Sequence, residues 1–376
     1  MRAQIKGAAV FLVLLIMFAA CLAGCKNGNA HKWVPGKPFD KNDVRIGIIY
    51  LDTAESGWSY AHKLGIEEAQ REFGLLDNQI ISKYNVSEED AGSIEYAIGG
   101  AIAEGANVII APSWGFMEVC EKMAGEHPDV VFAHASGYMK NDTNFTNYFG
   151  RLYQARYLTG IAAGLKTQGK IGFVAAQGRE SSEVTGWLNA FAMGVESVNE
   201  TARIYVSVTN SWFDPEGERS AAKKLIAEGC DVIAQHCDTA GPQIEAGLAG
   251  KWGIGNNVDM SADAPGAVLT SAVWNWGVYY KLLIGGIIDG SFTTEPYYGG
   301  LADGLVDIAP LSELCAPETA GKVAAAKSKI IDGSFKIFGG EMETNEGNII
   351  GTPGGTLSDG EIIGEIHWYY RNITLL

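Results

Sequence analysis

Arg45-Ile46-Gly47-Ile48-Ile49 returns later in the chain as Lys170-Ile171-Gly172-Phe173-Val174, and Ile102-Ala103-Glu104-Gly105-Ala106-Asn107-Val108-Ile109 returns as Ile226-Ala227-Glu228-Gly229-Cys230-Asp231-Val232-Ile233. The offsets are 125 and 124 positions. Between these blocks Gly57-Trp58 with Gly65 recurs as Gly186-Trp187 with Gly194, and Asp90 recurs as Asp214. Similarity that keeps its order over such a span marks the duplication of one folding unit. Each unit alternates short apolar strands with amphipathic helices, in the first copy a strand over 44–50, a helix over 59–73, a strand over 79–84, a helix over 91–104 and a strand over 108–111. A crossover between neighbouring parallel strands needs a helix's worth of chain, so this βαβαβ pattern dictates a mostly parallel sheet with helices on both faces. The expected fold class is α/β, two doubly wound parallel-sheet lobes.

From Leu269 onward the chain stops repeating. A helix is expected over 276–288, a Gly/Tyr-rich stretch over 290–304 and a charged helix over 317–331. A segment that follows both lobes most simply crosses back to the first and returns to the second, which makes a multi-strand hinge. The expected lobes are 44–149 plus 275–305, and 150–274 plus 306–376.

Arg2 and Lys6 precede an apolar run from Ala8 to Ala20, short for a membrane span and right for a signal-peptide core. It closes on Leu22-Ala23-Gly24-Cys25, which looks like a bacterial lipobox. Cys21 fits that pattern less well. Residues 1–24 are therefore expected to be a leader and Cys25 an acylated membrane anchor. The polar stretch 25–43, with Gly28, Pro35, Gly36 and Pro38, reads as a tether, since its composition buries too little apolar surface to fold alone. The remaining chain, in a sequence with 48 Gly and 47% hydrophobic residues, is long enough for two cores. A net charge of −16 argues against nucleic-acid binding and against docking on anionic headgroups by charge alone. Cys120, Cys230, Cys237 and Cys315 show neither a C-x-x-C pair nor the His spacing of a zinc site. No metal and no cofactor are expected; buried thiols and a disulfide both stay open for the cysteines.

Ligands of doubly wound sheets bind outside the carboxyl ends of the strands. Of the nine Trp, Trp58, Trp114 and Trp212 each follow a predicted strand, and Trp274, beside Asn275, sits where the chain is expected to recross between lobes. Flat rings on the walls of one cleft suit a flat ligand, a planar heterocycle or a sugar, with each stacked pair adding about 0.5–1.5 kcal/mol beyond area burial. Carboxylates at equivalent positions, Asp52, Glu55, Glu183, Asp238 and Asp259, would accept from ligand N–H or hydroxyl groups.

At these residues the chain resembles the basic-membrane-protein family of bacterial lipoproteins, the nucleoside- or purine-binding components of ABC transporters. The resemblance covers essentially the whole mature chain. It is carried by Asp52-Thr53 with Gly57-Trp58, Gly115-Phe116, Trp212-Phe213-Asp214-Pro215, Asp231-Val232-Ile233-Ala234-Gln235-His236, Val258-Asp259, and Leu269-Thr270-Ser271 leading to Trp274-Asn275-Trp276-Gly277. It implies a Venus-flytrap fold of the type I periplasmic-binding-protein kind, with Trp58 and Trp212 sandwiching a purine and Asp259 matching the carboxylate that holds ribose hydroxyls. Two departures from the nucleoside pattern, Gly57-Trp58-Ser59 in place of Ser-Phe-Asn and the missing Lys after Thr270-Ser271, bring it closer to a subgroup associated with free nucleobases, adenine especially. The resemblance further implies ABC permease subunits as partners, an extracytoplasmic, lipid-anchored monomer, and no catalysis. A sensor lipoprotein for the same ligand and a nucleoside hydrolase are the alternatives; against the latter, the sequence shows no G-x-S-x-G nucleophile and only His236 among its six His lies at a strand end.

Overall fold

A computed structural model of the chain describes residues 32–55 and 57–376. The first lobe is built on β1 (Ile46–Ile49), β2 (Ile80–Lys83), β3 (Val108–Ala111), β4 (Val131–Ala135) and β5 (Phe145–Gly150), all parallel, in the order β5-β4-β3-β1-β2. Helices α1 (Gly57–Phe73), α2 (Ala91–Ala103) and α3 (Met117–Glu126) make its crossovers. The second lobe repeats the scheme with β6 (Lys170–Ala175), β7 (Arg203–Val208), β8 (Val232–Gln235), β9 (Trp252–Asn257) and β10 (Val268–Trp274), joined through α5 (Ser182–Glu196), α6 (Pro215–Ala227) and α7 (Gly241–Leu248), with α4 (Leu152–Lys166) entering the lobe ahead of β6. Duplicated residues do duplicated jobs. Asp90 and Asp214 are the N-caps of α2 and α6, accepting from the Gly92 and Gly217 N–H groups. The central strands β1, β3 and β8 are buried at every residue, as parallel strands covered on both faces must be.

The chain crosses between lobes three times. β5 leads into α4; β10 leads into α8 (Gly277–Asp289), which packs on α1; and β11 (Tyr297–Gly299), parallel to β5 at the edge of the first sheet, leads to β12 (Val306–Ile308), antiparallel to β10 at the edge of the second. The crossings are knitted together, Arg151 N–H donating to Gly299 O at 2.7 Å and Asn275 N–H to Leu305 O at 2.7 Å. Buried side chains of both lobes merge there into one cluster.

Beyond α9 (Thr319–Ile331) the chain forms the hairpin β13 (Met342–Glu343) and β14 (Ile349–Ile350), then α10 (Asp359–Gly364) against α5, and ends with β15 (Ile373–Leu375) parallel to β7. Asn189 fastens this segment by bonding both Trp368 O and Tyr370 N–H.

One expectation needs correction. The tether expected over 25–43 is packed onto the first lobe from Lys32 onward: Trp33 and Phe39 are buried, Trp33 meets Phe292 edge-on, and Phe39 N–H donates to Ile288 O. Two aromatic anchors outweigh the polar composition around them. Cys25 and the leader lie outside the described residues. Among the described residues no helix is long and apolar enough to cross a membrane. Cys120, Cys230, Cys237 and Cys315 are free thiols, the first three buried.

Candidate functional site

Where the three crossings meet the cleft, aromatic side chains from both lobes converge. Asp52 follows β1 and its Oδ1 accepts from Ala54 N–H at 2.6 Å, turning the chain through a left-handed Ala54 (φ 57°) into α1. Trp58, in the first turn of α1, is anchored by donating from Nε1 to Pro112 O at 2.6 Å. Its ring lies edge-on to Trp274 (5.9 Å), Trp276 (5.4 Å) and His62 (4.5 Å). Trp274 stacks on Trp276 with centroids 4.5 Å apart and planes 13° apart. From the second lobe, Trp187 reaches the same cluster, 6.1 Å from Trp274 and 6.3 Å from Phe149 of β5. The indole N–H groups of Trp274 and Trp276 are buried without a partner, a deficit that a ligand acceptor would relieve by about 1–3 kcal/mol.

Trp187, Phe149 and Trp276 were not among the expected site residues. The duplication carried the signal for Trp187, since Gly186-Trp187 is the counterpart of Gly57-Trp58. Phe149 carried none, because a strand buried on both faces shows no alternation.

The lobes touch beside this cluster. A Cβ built on Gly57 would stand 2.5 Å from both the Cβ and the carbonyl oxygen of Asp238. Asp238 is buried, donates its backbone N–H to Trp212 O at 2.9 Å, and accepts from Asn257 Nδ2 at 2.7 Å. Burial pushes its pKa well above the usual carboxylate range, helped by the charges of Glu218 and Asp52; the Trp58 backbone N–H and the Asn257 amide pull the other way. Trp212 itself is partly buried against the second-lobe core and makes no ring contact with the cluster.

The other expected residues are spread along the cleft. Trp114, 54% exposed, packs against the exposed Tyr138 at the first-lobe rim. Asp259 is exposed after β9 and accepts from Ser261 N–H, closing a turn. Asn275 is a hinge residue, donating from Nδ2 to Gly304 O at 2.9 Å. Glu183, in the first turn of α5, lines a small space with Phe149, Trp187, Tyr298, Ile362 and Ile363, and desolvation pushes its carboxyl up to about 7. Glu55 is exposed.

Behind the cluster, Arg156 is fully buried and donates to Gln235 O (2.7 Å) and Asn256 Oδ1 (2.5 Å). His236 beside it is held neutral by burial and by that cation, and it packs on Phe173 and Trp187. Among the described residues no group of three or more His, Cys, Asp or Glu could hold a metal ion. A larger groove of about 400 Å³ lies along the hinge, between Arg151, Asp303, Phe338 and Asp359.

Two lobes of this topology around an aromatic, carboxylate-edged cleft define a solute-binding protein. The sequence profile of the PnrA-like ABC transporter substrate-binding proteins matches residues 44–339, and the chain belongs to that family. It is 30% identical over 86% of its length to a Haloferax volcanii protein provisionally named an ABC transporter glucose-binding protein, covering 81% of that protein. It is 31% identical over 83% of its length to a purine-binding protein of Brucella abortus, covering 88% of it. It is also 25% identical over 85% of its length to basic membrane protein A2 of Borrelia garinii, covering 94% of it. Among solved structures, an ABC transporter solute-binding protein from Conexibacter woesei superposes with a TM-score of 0.65 at 18% identity, over 78% of this chain and 98% of that one. A transcriptional activator from Bacillus halodurans superposes with a TM-score of 0.66 at 20% identity, over 77% and 99%. These likenesses show the type I periplasmic-binding-protein fold. The family is one of ABC transporter substrate-binding proteins, which are extracytoplasmic and serve a permease.

Proposed function

We propose that the protein is a monomeric, lipid-anchored binding protein that captures a purine, a nucleobase such as adenine or a purine nucleoside, between its lobes and hands it to an ABC permease. Cys25 carries the lipid, and the lobes are 44–149 plus 275–305 and 150–274 plus 306–376. The observation that supports the ligand class is the convergence of Trp58 from one lobe, Trp187 from the other and Trp274 from the hinge, flat apolar faces suited to a flat heterocycle. Trp212 and Trp114 line the mouth, Asp238, Asp259, Asp52 and Glu183 supply acceptors, and Asn275 supplies an amide at the hinge. The Brucella relative's purine-binding name agrees with this reading.

A sugar is the second reading, favoured by the Haloferax relative's name and by the ability of indole faces to cover a pyranose ring. Calorimetry on the delipidated protein, stripped of co-purified ligand by unfolding and refolding, separates the two. A purine base or nucleoside binding in the micromolar range or tighter, with glucose inert, is expected; the reverse result overturns the purine reading. Mass spectrometry of the native N-terminus should find acylated Cys25.

A further inference from the structure

The chain ahead of β1 is fastened to one end of the first sheet. Lys32 pairs with Asp129 (3.0 Å), just before β4, and Trp33 packs edge-on against Phe292, between α8 and β11. Pro38 lies so close to Gly290, the C-cap of α8, that a Cβ there would stand 2.6 Å from the Pro38 nitrogen. Gln79 donates from Nε2 to Lys41 O (2.9 Å) and Val44 O (2.7 Å) just before β2, and Asn107 donates from Nδ2 to Asp43 O (2.7 Å) just before β3. Each of these partners precedes a strand or ends a helix that leads to one. Residues 32–43 are therefore bound to the amino-end pole of the first sheet, whereas Asp52 and Pro112, which follow β1 and β3, mark the carboxyl end at the cleft.

Helix α1 measures the distance between those two ends. It starts at Gly57, against Asp238 of the second lobe, and stops at Phe73, whose carbonyl accepts from Lys41 Nζ (3.4 Å); its 17 residues span roughly 25 Å at about 1.5 Å per residue. Beyond the cleft, the 15 residues of α5 carry the second lobe roughly 22 Å further, toward Glu200.

The packing of Trp33 and Phe39 shortens the link to Cys25. Seven peptide links separate Cys25 from Lys32, a reach of at most about 25 Å, where a free tether over 25–43 would reach about 60 Å. The longer reach would let either lobe lie beneath. The shorter one is about half the depth of the two lobes together, so it excludes every pose in which the second lobe stands between the first-lobe pole and the membrane.

We propose that the amino-end pole of the first lobe is the face this protein turns to the membrane, kept within about 25 Å of the phospholipid headgroups, with the second lobe level with it or outermost. This rests on the lipidation of Cys25 proposed above and adds which surface the bilayer meets. Length and not charge is the cause, since Lys32, Lys37 and Lys41 at this pole are matched by Asp40, Asp43 and Asp129.

The experiment is energy transfer from a donor on the acylated protein to headgroup-labelled lipid in phosphatidylcholine vesicles. Donors are placed singly at Glu126→Cys, exposed at the first-lobe pole, and at Glu200→Cys, exposed at the far end of the second lobe. Both are made in a Cys315→Ser background, because Cys120, Cys230 and Cys237 are buried. Transfer should be at least about twofold stronger from position 126 than from position 200. Inserting about twenty Gly/Ser residues after Lys26 leaves the packed segment untouched and restores a long reach, so the ratio should fall toward one. Releasing the segment with Trp33→Ala and Phe39→Ala together should lower the ratio in the same way; if that variant does not fold, the insertion alone decides. A parent ratio at or below one, or a ratio that the insertion leaves unchanged, overturns the proposal while the anchor stands. If the parent does not bind the vesicles, the Cys25 reading fails and this inference with it.

Discussion

Replacing Gly57 by alanine tests whether the contact between lobes is the closed, binding-competent one. Gly57 has φ of 61°, and an added Cβ would meet the Asp238 Cβ and carbonyl oxygen at 2.5 Å and its Cα at 2.9 Å. Two of these neighbours are backbone, and Asp238 is tied by its N–H to Trp212 and by its carboxylate to Asn257, so nothing there yields cheaply. Relief to an ordinary contact of about 3.5 Å requires the lobes to part by roughly 1 Å at this point. The left-handed conformation adds about 1–2 kcal/mol of strain, but in open and closed forms alike. The clash alone falls on the closed form, and overpacking of this kind costs about 1–3 kcal/mol. Ligand affinity should therefore drop by about 5- to 150-fold, with enthalpy lost and the radius of gyration at saturation staying near that of the open form. Gly65→Ala is the control: its Cβ would meet Trp276 Cβ at 2.7 Å inside the first lobe, so it should lower the melting temperature without singling out closure. A Gly57→Ala protein that binds within twofold of the parent and compacts normally would refute the reasoning.

Trp58→Ala and Trp187→Ala should each weaken purine binding by about 1–3 kcal/mol and reduce ligand-induced fluorescence quenching, whereas Tyr96→Ala, on an exposed face of α2, should leave calorimetric affinity unchanged. Asp238→Asn should flatten the pH dependence of stability. Because burial raises the folded-state pKa of Asp238, its contribution is full below the ordinary carboxylate range and is lost as pH rises through the raised value. Melting curves from pH 4 to 8 should show the parent losing more stability with rising pH than the variant, and parallel curves would contradict the assignment. Phe39→Ala should destabilise the first lobe by about 3–5 kcal/mol in urea titrations, whereas a free tether would show no change.

The two-lobe fold was legible because duplication exposes element order twice, and because Gly, Asp and apolar positions recur with their structural duties. The packed segment around Trp33 and Phe39 was not, since two anchors in a polar stretch have no periodicity to detect. Nor was the edge strand β15, three residues long and paired with β7 some 170 positions earlier, which no local pattern announces. In the aromatic cluster, the strand-end rule pointed to Trp58, and the expected recrossing between lobes pointed to Trp274. Neither pointed to Trp187, which sits a turn and a half inside a helix and reaches the cleft only because α5 points its first turns there.

The order of the strands has a consequence for how the protein is made. β11 completes the first sheet only after all of β6 to β10 have been synthesised, and β15 completes the second only after β12 and the segment that follows it. A nascent chain that has just finished β5 carries a bare strand edge, open to pairing with any extended neighbour, until Tyr297–Gly299 arrives. Pairings so distant in sequence form slowly. The first lobe therefore matures late, and a gene cut at the repeat boundary would leave the first half without its edge strand β11 and the second half carrying β11 with no sheet of its own to join.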